Sequence, residues 1–117
     1  MEEIKAGEYV RTNRGNIDKV IIDYNGRCNN SNCNRKHISC KYDYYNEEDI
    51  TKHSFNIIDL IEVGDFINGN RVYKITSACV YCVGKAVQNK LTINIETILT
   101  HEQYQANCYT VKSSTIN

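Results

Sequence analysis

The fold is decided by one stretch, Val63-Gly64-Asp65-Phe66-Ile67-Asn68-Gly69-Asn70-Arg71-Val72-Tyr73-Lys74-Ile75, residues 63–75. Asn68-Gly69 separates two runs of residues that favour extended backbone. A type I′ turn requires positive φ at both central positions, and Asn followed by Gly meets this requirement with little strain. The stretch therefore predicts an antiparallel β-hairpin.

A second hairpin is predicted near the start of the chain. Residues 7–12 alternate apolar and polar side chains, as a half-buried strand does. Gly15 lies in the turn that follows, and residues 17–24 form a β-branched return strand. Both hairpins open with glycine, an acid, an aromatic residue and a β-branched residue.

The last quarter of the chain adds strands and a helix. Residues 91–99 alternate cleanly and predict a strand. Thr100 and Gln103 have the spacing of a capping box, which predicts a helix over about residues 101–106. Residues 108–111 predict a final strand. The sum is a mainly β fold with one or two short helices, a small SH3-like or related partly open β-barrel in which few strand edges are exposed.

The composition predicts one domain, residues 1–117, with ordinary globular values of 41% hydrophobic and 24% charged residues. No apolar run is long enough to span a bilayer, and the start Met-Glu-Glu-Ile-Lys has no signal-peptide pattern. We therefore expect a cytoplasmic protein without membrane association. In the cytosol the six cysteines are expected to stay reduced.

The charges are unevenly distributed although the formal net charge is zero. Seven basic residues and two acids lie between positions 11 and 41, whereas seven acids and one lysine lie between positions 42 and 65. A neutral chain is not expected to depend mainly on attraction to a phosphate backbone. Nucleic-acid binding is therefore the alternative function, and its candidate residues are the basic ones of the first third: Arg11, Arg14, Lys19, Arg27, Arg35 and Lys36.

Several cysteines have spacings that a zinc site could use. One arrangement is the local run Cys28, Cys33, His37 and Cys40; the other is the split set Cys28, Cys33, Cys79 and Cys82. Residues three apart on a strand face opposite sides, so Cys79 and Cys82 converge only if the chain bends. Free cysteines are also common small core residues. We expect no cofactor, with a structural zinc as the alternative.

No catalytic motif is present in the sequence, and we expect a protein that is not an enzyme. Tyrosines and acids cluster instead between positions 42 and 49. Tyrosine offers a large contact area at low entropic cost, which suits protein recognition. The predicted partner-binding residues are Tyr42, Asp43, Tyr44, Tyr45, Glu47, Glu48 and Asp49.

Three segments, residues 7–15, 53–69 and 98–104, resemble small accessory proteins of phages and prophages of clostridia and related Gram-positive bacteria, which have an SH3-like β-domain. The resemblance covers about half of the chain and leaves the cysteine-rich stretch outside. It implies a binding protein that docks on and inhibits a host protein in the bacterial cytosol, such as a CRISPR effector or another defence component. Sequestration of a nucleotide signal is a further alternative.

Overall fold

The computed structural model describes residues 3–21 and 37–109. Within them the chain forms ten short strands, two 3-10 helices and one α-helix. In chain order the elements are β1 (Tyr9–Thr12), β2 (Ile17–Lys19), β3 (His37–Ser39), β4 (Tyr44–Asn46), the 3-10 helix Glu47–Asp49, β5 (Ile50–Ser54), the 3-10 helix Ile57–Leu60, β6 (Phe66–Ile67), β7 (Asn70–Ile75), β8 (Cys79–Cys82), β9 (Gln88–Asn89), β10 (Ile98–Leu99) and α1 (His101–Asn107).

The strands form three antiparallel sheets, ordered β2-β1-β5, β3-β4 and β10-β6-β7-β8-β9. The predicted mainly β class with a short helix is confirmed. Across the residues that the structure describes, the three sheets do not join into one closed barrel. None of the helices in these ranges is both long and apolar enough to cross a membrane.

Both predicted hairpins are present, although the return strand predicted over residues 17–24 is observed only as Ile17–Lys19, and residues 22–24 lie outside the described ranges. β1 pairs with β2 around a turn in which Gly15 has a φ of 82°. β6 pairs with β7 around Asn68 and Gly69, whose φ values are 51° and 83°. Positive φ at both central residues is the type I′ geometry that Asn-Gly predicts.

The predicted strand over residues 91–99 is wrong for most of its length, because only Ile98–Leu99 pairs with a neighbour. Ile93 and Ile95 still pack against an apolar cluster, which explains the alternation. The side chain of Asn68 makes hydrogen bonds to the backbone of this segment that a neighbouring strand would otherwise make. Its Nδ2 donates to the carbonyl of Asn94 at 2.8 Å, and its Oδ1 accepts from the amides of Glu96 at 2.7 Å and Thr97 at 3.0 Å.

The capping box is confirmed at the start of α1. The Thr100 hydroxyl accepts from the Gln103 amide, and the Gln103 side chain accepts from the Thr100 amide. The predicted final strand is wrong at Cys108 and Tyr109, which follow α1 without strand pairing. Its last two residues, 110 and 111, lie outside the described ranges.

The interior is divided into two apolar clusters. The first cluster consists of Ile4, Val10, Val20, Ile38, Cys40 and Ile50. The second cluster consists of Ile61, Ile67, Val72, Val80 and Cys82. Each hairpin thus packs its inward residues into a cluster of its own, so contacts between the two halves have to come from other side chains.

Candidate functional site

The strands β3 and β4 form a hairpin that carries the predicted tyrosines. Its turn is closed by a hydrogen bond from the Cys40 amide to the Asp43 carbonyl at 2.8 Å. The carboxylate of Asp18, only 4% exposed, lies beneath it and accepts from the Tyr42 amide at 3.2 Å and from the Tyr45 hydroxyl at 3.4 Å. A buried carboxylate therefore fixes the hairpin to β2.

Four of the seven predicted partner-binding residues are exposed to solvent. Tyr42 is 79% exposed and Tyr44 is 64% exposed, and Asp43 and Glu48 are exposed beside them. These four residues are named the tyrosine–acid surface. The other three predicted residues, Tyr45, Glu47 and Asp49, are partly buried.

Tyr45 has a structural role, because its ring packs against the first apolar cluster. Burial and the negative charges of Asp18 and Asp43 raise the pKa of Tyr45 to about 12. The hydroxyl therefore stays protonated at neutral pH and keeps donating to Asp18.

A cleft of about 270 Å³ separates the hairpin from the β1–β2 turn. Its walls include Tyr44, Asp43 and Asp49 on one side and Arg14 on the other. The structure therefore places Arg14, a candidate nucleic-acid residue, next to the tyrosine–acid surface. The Arg14 side chain thus shares the cleft with Asp43 and Asp49 and not with other basic residues.

The three candidate nucleic-acid residues that the structure describes, Arg11, Arg14 and Lys19, do not form one surface. Arg14 and Lys19 are exposed, and the Lys19 ammonium lies 5.5 Å from the centre of the Tyr9 ring. Arg11, by contrast, is fully buried with 0% exposure, so its assignment to nucleic acid is wrong. The remaining three, Arg27, Arg35 and Lys36, lie outside the described residues.

Arg11 instead joins the two halves of the molecule. Its guanidinium makes a bidentate ion pair with the buried Asp65, and Nη2 also donates to Glu102 in α1 at 2.6 Å. Nη1 donates in addition to the carbonyl of Leu60 at 2.9 Å. Asp65 also accepts from the amides of Glu62 and His101. This set of contacts, centred on Arg11 and Asp65, is named the polar clasp.

The clasp has an outer layer of charge. The His101 Nε2 lies 2.9 Å from Glu62 Oε1, and the Lys52 ammonium lies 3.1 Å from Glu62 Oε2. Burial opposes ionisation of Glu62, but these two partners and Arg11 hold its pKa below the usual value. Glu62, His101 and Glu102 bring possible metal-ligand atoms within 4.8 Å of one another. Arg11 and Lys52 already supply the positive charge that a bound cation would bring to these carboxylates.

Two of the cysteines predicted for the split zinc site, Cys79 and Cys82, lie on opposite faces of β8. In β8 the burial alternates, so that Cys82 packs in the second apolar cluster while Cys79 lies on the opposite face. The strand does not bend to bring the two thiols together. The other two candidates, Cys28 and Cys33, lie outside the described residues, and zinc stays an untested alternative.

The local cysteine arrangement is described only at Cys40 and His37. Cys40 is buried in the first apolar cluster, and the His37 ring contacts the Tyr44 ring edge-on with centroids 5.4 Å apart. Burial and the charges of Asp18 and Asp43 raise the pKa of Cys40 to about 12. The thiol therefore serves here as a small core residue.

This thiol predicts how stability depends on alkaline pH. Because the pKa of Cys40 rises from 9.0 to about 12 on folding, its contribution is intact below pH 9 and is lost as the pH rises towards 12. We expect this one group to lower the free energy of unfolding by up to about 1.4 kcal/mol per pH unit in that window. Urea unfolding in reducing buffer at several alkaline pH values measures the slope.

The variant Cys40→Ala should flatten the slope, whatever its stability at neutral pH. Cys108→Ala is the matched control, since Cys108 is exposed after α1 and should leave the slope as in wild type. Parallel slopes for wild type and Cys40→Ala would contradict the prediction.

Comparison with known proteins gives no identification. No family model, no curated protein and no solved structure matches the chain. The resemblance to phage accessory proteins therefore stays a prediction, and the function has to be argued from the surfaces described above.

Proposed function

We propose that this protein is a non-enzymatic binding module that docks on a host protein and inhibits it. The tyrosine–acid surface would make the contact. The observation that carries the proposal is the pair of exposed tyrosines, Tyr42 and Tyr44, on a hairpin fixed from below by Asp18. The origin in a phage or prophage, the bacterial cytosol as the site of action and a defence component as the target all belong to this proposal.

Anchoring of the hairpin supports a docking role. Contact residues with fixed backbones lose little entropy on binding, and tyrosine adds a large contact area at low entropic cost. The Asp18 contacts hold the backbone of Tyr42 and the ring of Tyr45, so the turn between them is ordered before any partner arrives.

The charge of the surface indicates the kind of partner. Asp43 and Glu48 are exposed beside the tyrosines, and acids dominate residues 42–65. Acids next to aromatic rings present negative charge and stacking faces together, as a nucleic acid does. The proposed target is therefore the basic, nucleic-acid-handling surface of a host protein, which electrostatic attraction would also steer into contact.

The double variant Tyr42→Ala, Tyr44→Ala tests this proposal. Buried interface tyrosines commonly cost more than about 1 kcal/mol each when truncated, so we expect the affinity for the partner to fall by about 10-fold or more. Proteins captured from a Gram-positive bacterial lysate by wild type are compared with those captured by the variant using quantitative mass spectrometry. The differential candidate is then purified and titrated by calorimetry, and its activity is assayed with and without the protein.

Tyr109→Ala is the matched control, because Tyr109 is 90% exposed and lies outside the hairpin. It should bind as wild type does. Urea unfolding confirms that the double variant is folded, as expected for two exposed side chains. Equal binding of wild type and the double variant to the purified partner would refute the proposed contact.

A further inference from the structure

The five-stranded sheet has a face that turns away from the second apolar cluster. Ile67 and Ile98 pair with each other and pack into that cluster. Phe66 and Leu99 are the adjacent pair in the same two strands, and successive residues of a strand face opposite sides. These two side chains therefore lie on the outward side of the sheet.

The same alternation continues across β7 and β8. Val72 and Cys82 pair within the cluster, whereas Lys74 pairs with Tyr81 on the outward side. A register shift between Val72 and Lys74 inserts Tyr73, which is 55% exposed. The outward residues of the sheet used below are named the outer sheet face: Phe66, Arg71, Tyr73, Lys74, Tyr81 and Leu99.

Aromatic rings and cations are interleaved on this face. The Tyr73 and Tyr81 rings have centroids 6.1 Å apart, and the Lys74 ammonium lies 5.1 Å from the centre of the Tyr81 ring. Arg71 is exposed and pairs directly with Phe66. The rings therefore lie side by side, with a positive charge beside them.

The surrounding sequence carries charge of one sign. Four basic residues and no acid occur between positions 66 and 95. The cavity that Arg71 shares with His101 has no carboxylate among the described residues that line it. An approaching anion would thus meet Arg71 and Lys74 on a face whose own residues include no acid.

We infer that the outer sheet face binds single-stranded nucleic acid. A base would stack on the exposed ring of Tyr73, while Lys74 and Arg71 would contact the phosphates on either side. An exposed aromatic ring on a sheet surface accepts unpaired bases, whereas the bases of a duplex keep their faces stacked on one another. An acidic peptide would satisfy the cations but would leave the rings without stacking partners, which is why nucleic acid fits this face better.

This inference concerns a different surface from the tyrosine–acid surface and does not depend on it. It also differs from the nucleic-acid alternative drawn from the sequence, which relied on the basic residues of the first third. The two sets can be separated experimentally, because Lys74 lies in β7, whereas the exposed Arg14 lies in the turn between β1 and β2.

Fluorescence anisotropy with labelled oligothymidylate and oligouridylate of about 15 nucleotides tests the inference, a length that one stacking surface can hold. The comparison of the two oligomers distinguishes DNA from RNA as the ligand. We expect binding by wild type at low salt that weakens as the salt concentration rises. Tyr73→Ala should weaken binding about 10-fold through the loss of one stacked base.

Lys74→Glu should weaken binding and reduce the magnitude of the logarithmic salt slope by about 0.7, the value for one phosphate contact on a single strand. Arg14→Glu makes the same change in net charge elsewhere and should leave the affinity near that of wild type. Urea unfolding verifies that each variant is folded.

Three results would overturn the inference: no binding of either oligomer at low salt, equal weakening by Arg14→Glu and Lys74→Glu, or binding of a blunt duplex as tight as that of the single strands. If oligoglutamate at equal charge concentration displaces the oligomer, the ligand of this face is an acidic protein segment and not nucleic acid.

Discussion

Arg11→Met is expected to destabilise the protein by about 3–5 kcal/mol, the usual cost of removing one partner from a buried ion pair. Arg11 and Asp65 are both 0% exposed, and the guanidinium makes two hydrogen bonds to the carboxylate. Methionine fills a similar volume but leaves the charge of Asp65 buried without its main partner. Urea unfolding at neutral pH, followed by circular dichroism, measures the loss.

Lys52→Met is the matched control for this variant. Lys52→Met removes another cation next to the polar clasp. The Lys52 side chain, however, is 40% exposed and pairs with the partly exposed Glu62. Ion pairs of this kind contribute about 0–1 kcal/mol, so the control should remain close to wild type. Similar losses in the two variants would show that the polar clasp is no more important than an ordinary surface ion pair.

Gly15→Ala should destabilise the protein by about 2–5 kcal/mol, the sum of left-handed backbone strain and overpacking. Gly15 has a φ of 82°, and a methyl group there would overlap the Thr100 hydroxyl and lie 2.8 Å from Glu102 Cβ. The Thr100 hydroxyl cannot simply move away, because it donates to the Gly15 carbonyl at 2.8 Å and caps α1. Thermal and urea unfolding both report the effect.

Gly69→Ala separates the two contributions. Gly69 has nearly the same φ, 83°, but nothing lies within 4 Å of the position of an added methyl group. It should therefore cost only the backbone strain of about 1–2 kcal/mol. If both substitutions cost the same, the expected overpacking of a methyl group at position 15 against Thr100 and Glu102 is wrong.

The features that could be predicted from the sequence are those that neighbouring residues determine. Asn68 and Gly69 specify their turn through their own φ preferences, and Thr100 and Gln103 form their capping box across three positions. The mainly β class follows from the same short-range signals. The hairpin of β3 and β4 was not predicted. The contact residues between positions 42 and 49 were chosen by residue type, which does not show which rings will be buried.

The features that were missed depend on residues far apart in the chain. Arg11 is separated by 54 positions from Asp65 and by 91 from Glu102, so no local pattern shows that its charge is buried. The alternation of residues 91–99 indicated the packing of Ile93 and Ile95 but not the 93% exposure of Leu91. The Asn68 side chain makes the hydrogen bonds that were expected from a neighbouring strand. The outer sheet face did leave a signal, an acid-free stretch with tyrosines at 73 and 81.

The division of the interior into two apolar clusters has a consequence for how such a sequence can diverge. A change in the size of one side chain within a cluster can be compensated by another residue of the same cluster. The apolar residues of the two clusters can therefore be substituted independently during evolution. The charges at positions 11 and 65 do not have this freedom. Loss of Arg11 would leave Asp65 buried without its cation, and loss of Asp65 would leave the buried guanidinium only the partly exposed Glu62 and Glu102. Descendants of this chain should therefore keep both charges or exchange both for apolar residues together, even where little else of the two hairpins remains alike.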